Sequence, residues 1–340
     1  MSIRTLFCLS FVWCFIGAHA QAVAKSPTLD KIRASKNLNC GVNVEEAEYS
    51  MDAHGNHTLL DIEFCKAVAV AVLGPKAPYK IKIYRDEEEA LAGLKSGDSD
   101  VLASGSANFR STDGVFTAAH VIYYDFQGLL VNATNNYHSV KDLQGKRICF
   151  LISSELETQI QAYMTRQKIP FLPGPYSEEG EMELAFVTGH CDAVSADVTQ
   201  LAYERISFKK MAPQFEILQD VIAPDPLAPL TRSDDPLWSA VVDWTVQALI
   251  QAEQLGITQA NLPDMLKSED IVIQRLLGTN RGWAQFIGLN DSWAADIIGT
   301  VGNYGEIFER TLGANSPMRL RRGVNRIWTE GGLLYADPIR

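Results

Sequence analysis

The sequence predicts an α/β protein of two similar lobes, each a parallel-rich sheet flanked by helices. Three observations carry this. Strand-like and helix-like segments alternate from residue 38 to residue 103, and the alternation restarts at Lys146. A short motif recurs at the same place in each series. Leu94-Lys-Ser-Gly97-Asp-Ser-Asp100-Val-Leu-Ala-Ser104 and Phe186-Val-Thr-Gly189-His-Cys-Asp192-Ala-Val-Ser-Ala196 both read as a helix end, a glycine cap and an aspartate opening a strand.

In order, residues 38–42 read as a strand and 61–72 as a helix ended by Gly74-Pro75. Residues 79–84 alternate like a second strand. Asp86 is placed to cap a helix over 87–95 that stops at Gly97, and 100–103 form a third strand. In the second series 146–152 is a strand, 155–167 and 178–188 are helices, and 192–196 is a strand. The apolar stretch 121–131, with Gly128 inside it, carries the chain across to the second lobe. Pro224-Asp225-Pro226 marks the return, where proline restricts bending. An amphipathic helix follows over 236–255, with Trp238, Val241, Val242, Thr245 and Leu249 as its apolar stripe, then smaller helices through Leu276-Leu277, Trp283 and Trp293. The expected domains are a leader at 1–20, the first part of lobe 1 at 27–127, lobe 2 at 128–224, and the return to lobe 1 with a helical extension at 225–340.

The first residues point to export. A basic start at Arg4 precedes an apolar run over 5–17, and Ala18-His19-Ala20 offers a small-x-small cleavage pattern before Gln21. That run is too short to span a bilayer as a helix, which takes about 20 residues. Cys14 follows Phe11-Val12-Trp13, which is not the setting of a lipid-modified cysteine. The formal charge is −11, and loss of Arg4 with the leader makes the remainder one unit more negative. Such a balance argues against nucleic acid as a partner, since phosphate binding needs concentrated Lys and Arg.

Cys8 and Cys14 leave with the leader, so Cys40, Cys65, Cys149 and Cys191 remain. An even number in an oxidising compartment suggests disulfides, and their wide spacing resembles no zinc motif. Three pairings are possible. Cys40 lies on the first strand and Cys65 on the adjoining helix, while Cys149 and Cys191 are placed on two strands of lobe 2. Cys40–Cys65 and Cys149–Cys191 are therefore favoured, because both bonds stay inside a lobe and leave the crossing free.

Ligands in open α/β sheets sit beyond the carboxyl ends of the parallel strands. Two such lobes facing each other form a cleft lined by residues 104–110, 153–155, Ala196-Asp197 and the loop of Tyr49 and Ser50. Ser104 and Ser106 fall on its wall. Arg110 could hold a carboxylate through its planar fork, and Ser153 and Ser154 lie at a strand-to-helix turn that favours an anion. Asp197, at the matching strand end of lobe 2, could accept an ammonium group, and Tyr49 could cover the apolar part of a ligand. Each has a plainer reading: Arg110 as a solvated charge, Asp197 and the Ser153-Ser154 pair as helix caps, Tyr49 as loop packing. His54-Gly-Asn-His57 reads as a surface turn, and Gly299-Thr-Val-Gly302-Asn-Tyr-Gly305 follows no strand. With no phosphate loop, nucleophile elbow or paired metal-ligand helix, no cofactor or metal is expected. Arg319, Arg321, Arg322 and Arg326 read as a solvated helix face, with a docking surface for a transporter as the sharper alternative.

Several stretches carry a resemblance: Cys40-Gly-Val, Leu60-Asp-Ile-Glu-Phe-Cys65-Lys-Ala-Val, Tyr123-Tyr-Asp-Phe-Gln-Gly128 and Gly189-His-Cys-Asp192. Longest are Val301-Gly-Asn-Tyr-Gly-Glu-Ile-Phe-Glu-Arg310 and Gly331-Gly-Leu-Leu-Tyr335-Ala-Asp-Pro-Ile-Arg340. Through them nearly the whole chain beyond the leader resembles the general L-amino-acid-binding proteins of polar amino-acid ABC importers, bacterial solute-binding family 3. The resemblance implies a two-lobed Venus-flytrap fold in the periplasm, a monomer serving an ABC permease in the inner membrane, and no chemistry on the ligand. It places the arginine for the ligand carboxylate at Arg110 and the aspartate for the ammonium at Asp197.

Three pocket loops depart from the family. An Arg-Asn-Thr-Thr-Trp-like stretch is replaced by Ser104-Gly-Ser-Ala-Asn-Phe109, a Thr-Gly-Thr-Thr-like loop by Ile152-Ser-Ser-Glu-Leu156, and Glu45-Glu-Ala-Glu-Tyr49 is unusually acidic. These changes bear on ligand choice, and acidic residues there would favour a cationic ligand. Two other functions fit the same fold. One is an enzyme resembling the cyclohexadienyl dehydratases, for which Glu155 is the candidate acid or base. The other is a subunit that presents its ligand to a sensor.

Overall fold

The computed structural model describes residues 25–43, 59–108, 114–152, 154–208 and 214–339. Helix α1 (Pro27–Ser35) starts at Ser26, whose Oγ accepts from the Leu29 N–H, with proline at a position that needs no amide. Strand β1 (Leu38–Asn43) leads to α2 (Leu60–Leu73), which buries eleven of its fourteen residues. A helix covered on all sides is a spine rather than a surface element. β2 (Tyr79–Tyr84), α3 (Glu87–Ser96) and β3 (Val101–Ser106) follow. Asp86 caps α3 through the Glu89 N–H, and Gly97 ends it in the left-handed region.

β4 (Phe116–Ala118) and β5 (Tyr123–Asn132) lead into the second half: β6 (Arg147–Leu151), α4 (Glu155–Gln167), β7 (Leu172–Tyr176), α5 (Glu179–Val187), β8 (Ala193–Asp197), α6 (Val198–Ser207) and β9 (Phe215–Ile217). β10 (Ala223–Arg232) returns to the first half. The strand order is β2-β1-β3-β10-β5-β8-β6-β7, with β4 on β10 and β9 on β5. β1 is parallel to β2 and β3, while β10 is antiparallel to β3 and β4. β6 is parallel to β7 and β8, while β5 is antiparallel to β8 and β9. The two halves thus match strand for strand.

The recurring motif has a physical cause. Asp100 accepts from the Asn39 N–H at 2.9 Å and donates its own N–H to the Asn39 carbonyl at 2.8 Å. Asp192 does the same with Arg147, at 2.9 Å in both directions. Each aspartate pins the start of the third strand to the start of the central one. It stands just before its strand, so Cys191 lies in the approach to β8 rather than on it. Cys40 is bonded to Cys65 and Cys149 to Cys191, with Cα–Cα separations of 6.1 and 5.9 Å.

Beyond β10, α7 (Pro236–Gln254), α8 (Leu262–Met265), α9 (Ile271–Leu276), α10 (Trp293–Val301) and α11 (Tyr304–Thr311) form the extension. All five residues of the predicted stripe on α7 are buried. Asp235 caps α7 through the Trp238 N–H and also accepts from Ser26 Oγ and the Thr28 N–H, so one carboxylate fixes the starts of α1 and α7. The tail reaches the crossing strands. Tyr304 Oη donates to the Ile122 carbonyl at 2.7 Å. Asn325 grips Tyr124 from both sides, accepting its N–H at 2.7 Å and donating to its carbonyl at 3.1 Å. The basic cluster is not a helix face: residues 319–322 lie outside any helix. Arg322 is paired with Glu253 and stacks over Tyr304 and Phe308 at 5.2 and 5.3 Å. Among the described residues no helix is long and apolar enough to cross a membrane.

Candidate functional site

β5 and β10 share a five-residue antiparallel ladder, from Tyr123 opposite Leu227 to Gln127 opposite Ala223. β3 meets this ladder with Ser106 opposite Leu227. β8 meets its other end with Asp197 opposite Gln127. Because β3 runs in the sense of β5 and β8 runs against it, their carboxyl ends point at each other across the ladder. Four residue steps separate them, roughly 14 Å at the rise of an antiparallel strand. β1 and β6 are parallel to β3 and β8 and aim their ends into the same gap. This is where an open α/β sheet places a ligand.

Of the residues the sequence singles out, Tyr49, Arg110 and Ser153 lie outside the described residues. Asp197 ends β8 and sits at the cap position of α6, yet its side chain makes no capping hydrogen bond there. Gly128 positions it. A Cβ at Gly128 would come within 2.8 Å of Val198 Cγ2, so only glycine lets the first residue of α6 lie against β5. Ser104 is buried within β3, and Ser106 Oγ donates to Asp225 at 3.1 Å. Ser154 behaves as a cap: its hydroxyl donates to the Leu151 carbonyl at 2.7 Å and accepts from the Glu157 N–H at 3.2 Å.

Residues not anticipated from the sequence form the floor. Asp125 and Asp225 face each other at the middle of the ladder. Asp125 is almost fully buried and accepts from Thr199 Oγ1, from the Thr199 N–H at 3.3 Å and from the Phe126 N–H at 2.8 Å. Burial pushes its pKa up to about 6, against the pull of these donors and with help from the Asp225 charge. Burial also raises Asp225, against the Ser106 hydrogen bond. Gln127 Nε2 donates to the Leu156 carbonyl and to Ser195 Oγ, both at 2.8 Å, fastening the first turn of α4 to β5. The signal for this floor is polar residues inside otherwise apolar or proline-bounded strands, Asp-Phe-Gln and Pro-Asp-Pro. Carboxylates close enough to share a cation occur among the described residues at Glu179, Glu183 and Glu204, within 4.8 Å of one another.

The general L-amino acid-binding periplasmic protein AapJ of Rhizobium johnstonii is 37% identical over 335 residues, spanning 96% of this chain and 97% of that protein. The chain belongs to the periplasmic amino-acid-binding proteins of solute-binding family 3. The glutamate/glutamine/aspartate/asparagine-binding protein BztA of Rhodobacter capsulatus, a second such binder, is 36% identical over 330 residues and likewise covers 96% of the chain and 97% of its own length. A solved ABC-transporter periplasmic binding protein from Brucella ovis, with glutathione bound, superposes with a TM-score of 0.81 at 34% identity, over 92% of this chain and 99% of that one. No protein-family model matches the chain. The fold is therefore the two-lobed one of these family 3 binders, whose named members bind small solutes.

Proposed function

We propose that the chain captures a polar amino acid, or a small solute that carries an amino-acid head group, and delivers it to an inner-membrane ABC permease. The observation that carries this reading is the pair of opposed strand ends across the β5–β10 ladder, with Asp197 standing at one of them. In this reading residues 27–127 and 225–340 form lobe 1, residues 128–224 form lobe 2, and residues 1–20 are removed on export to the periplasm. Asp197 accepts the α-ammonium group from lobe 2, and Arg110, four residues beyond the end of β3 in the sequence, holds the α-carboxylate from lobe 1. Tyr49 and Ser153 complete the wall in this reading. A ligand held by charges on both lobes favours the closed arrangement, since it gains its full contacts only there.

The head group is common to free amino acids and to the γ-glutamyl end of glutathione, so the ligands named for AapJ, BztA and the Brucella ovis protein fit one anchoring scheme. No chemistry on the ligand is part of this reading. Asp125, whose pKa stands near neutrality, is engaged by Thr199 and by backbone amides rather than offered to a substrate. Calorimetric titration with glutamate, glutamine, aspartate, asparagine, arginine, lysine and glutathione tests the proposal. At least one should bind, and Asp197→Ala and Arg110→Ala should each weaken it by tens-fold or more, as expected for a desolvated charge left without its partner. Unchanged affinity in both variants would overturn the assignment. Turnover of prephenate or arogenate would replace it with an enzyme.

A further inference from the structure

The helical extension holds a cavity of its own, about 230 Å³ in volume. Its walls include Trp244 of α7, Arg275 of α9, Trp283, Phe286, Trp293 of α10 and Ile339 of the tail. None of its lining residues belongs to the strand ends or to the β5–β10 ladder, so it is separate from the gap between the lobes. Trp293 is buried, whereas Phe286 is 69% exposed.

Arg275 makes this cavity more than an apolar hollow. Its guanidinium lies over the Trp283 ring, 5.1 Å from the centroid, and Trp283 is itself held by a 3.2 Å hydrogen bond from Nε1 to Asn280 Oδ1. Stacking on an indole attracts the cation to the ring face but uses none of its in-plane N–H groups. Arg275 Nε is buried without a hydrogen-bond partner. Asp291, the acidic residue in the wall, is turned to the Gly282 N–H, from which its Oδ1 accepts at 2.9 Å. A buried N–H left unmet is costly, and the planar fork of arginine is matched by a carboxylate in its own plane. Three indoles and a phenyl ring supply flat apolar walls for the rest of a ligand. The volume lies below the roughly 300 Å³ at which pockets for drug-sized ligands begin, so it suits one ring rather than two.

We propose that this cavity is a second small-molecule site, taking a single-ring carboxylate of the phenylacetate type. Arg275 meets the carboxylate, and Trp244, Trp283 and Trp293 enclose the ring. The experiment is calorimetric titration of the intact chain with phenylacetate, with phenylacetamide and benzylamine as neutral and cationic counterparts. Phenylacetate is expected to bind saturably at one site, at least roughly tenfold tighter than the amide, as charge-assisted pairing to arginine requires. Benzylamine should not bind. Arg275→Met, which keeps the aliphatic stem over Trp283, should lose that advantage, and Arg275→Lys should restore part of it. Phe286→Ala, exposed and safe for folding, should weaken phenylacetate several-fold. Binding should persist in Asp197→Ala, which separates this site from the cleft whether or not the cleft assignment is correct. Absence of saturable heat, equal affinity for acid and amide, or loss of binding in Asp197→Ala would each overturn the proposal.

Discussion

The two lobes share strand order and strand sense, yet they are covered differently. In lobe 1 a large apolar cluster runs from Leu29 through α2 and α7 to Ala336, beside a small one around Leu94, Leu102 and Leu230. In lobe 2 the sheet separates two smaller clusters, one around Phe150, Ile160 and Met164 and the other around Met182, Phe186 and Val194. The same backbone pattern therefore supports unequal stability, because burial rather than topology supplies the driving force and small cores supply little. The crossing strands sit between these unequal partners. Asp125 on β5 is tied to lobe 2 through Thr199, and Asp225 on β10 to lobe 1 through Ser106.

The largest expected effect comes from the disulfides. The Cys149–Cys191 and Cys40–Cys65 links span 42 and 25 residues, for which chain entropy gives roughly 4 and 3.5 kcal/mol. With nearly equal costs, the lobes should differ in how the loss appears in calorimetry. Replacing Cys149 and Cys191 by serine should split off an early transition for lobe 2, whereas replacing Cys40 and Cys65 should lower the transition of the whole molecule. The same thermogram for both variants would break the comparison.

The next effect is one of pH. Asp125 titrates at about 6 when folded, against 3.8 as its ordinary value. Between these values the folded chain keeps a proton that the unfolded chain has released, so stability falls as pH rises across this window, by up to roughly 3 kcal/mol, and is level above it. Asp125→Asn should flatten the slope of urea stability measured from pH 4 to pH 7. An unaltered slope would assign it to another group.

The smallest effect tests the grip of the extension on the crossing. Asn325→Ala leaves the Tyr124 N–H and carbonyl without their partner, at a cost of about 1–3 kcal/mol. Faster hydrogen exchange at the Tyr124 amide is the local readout. If exchange there is unchanged, the tail does not restrain the crossing.

Much of the scaffold was legible because it is local. Strand and helix periods, the Gly97 and Gly189 caps and the α7 stripe are short-range patterns, and the Asp100 and Asp192 anchors were visible as a repeat before their contacts were known. β7 was hidden because Leu-Pro-Gly-Pro-Tyr contradicts strand propensity. It persists at the sheet edge, where Leu172 donates to Lys146 while the proline nitrogens face outward. The floor was less legible, since Asp125 and Thr199 are 74 residues apart and only the fold joins them. Arg322 was misread for the same reason: its partner Glu253 is 69 residues away. Among the candidate site residues, the position of Asp197 at the end of a strand was readable, while the hydrogen bonds of Ser154 and Ser106 to Leu151, Glu157 and Asp225 were not.

The grip of Asn325 on Tyr124 also bears on the order of assembly. That contact closes a loop of 201 residues, and the large cluster needs residues on both sides of lobe 2. The clusters of lobe 2, by contrast, fall within residues 129–222. Long-range contacts form slowly because loop-closure entropy is lost before they reward it. A chain delivered from its amino end can complete lobe 2 while lobe 1 still lacks α7, α10 and α11. Asn325 then acts as a latch that sets the crossing strands only after lobe 2 has emerged.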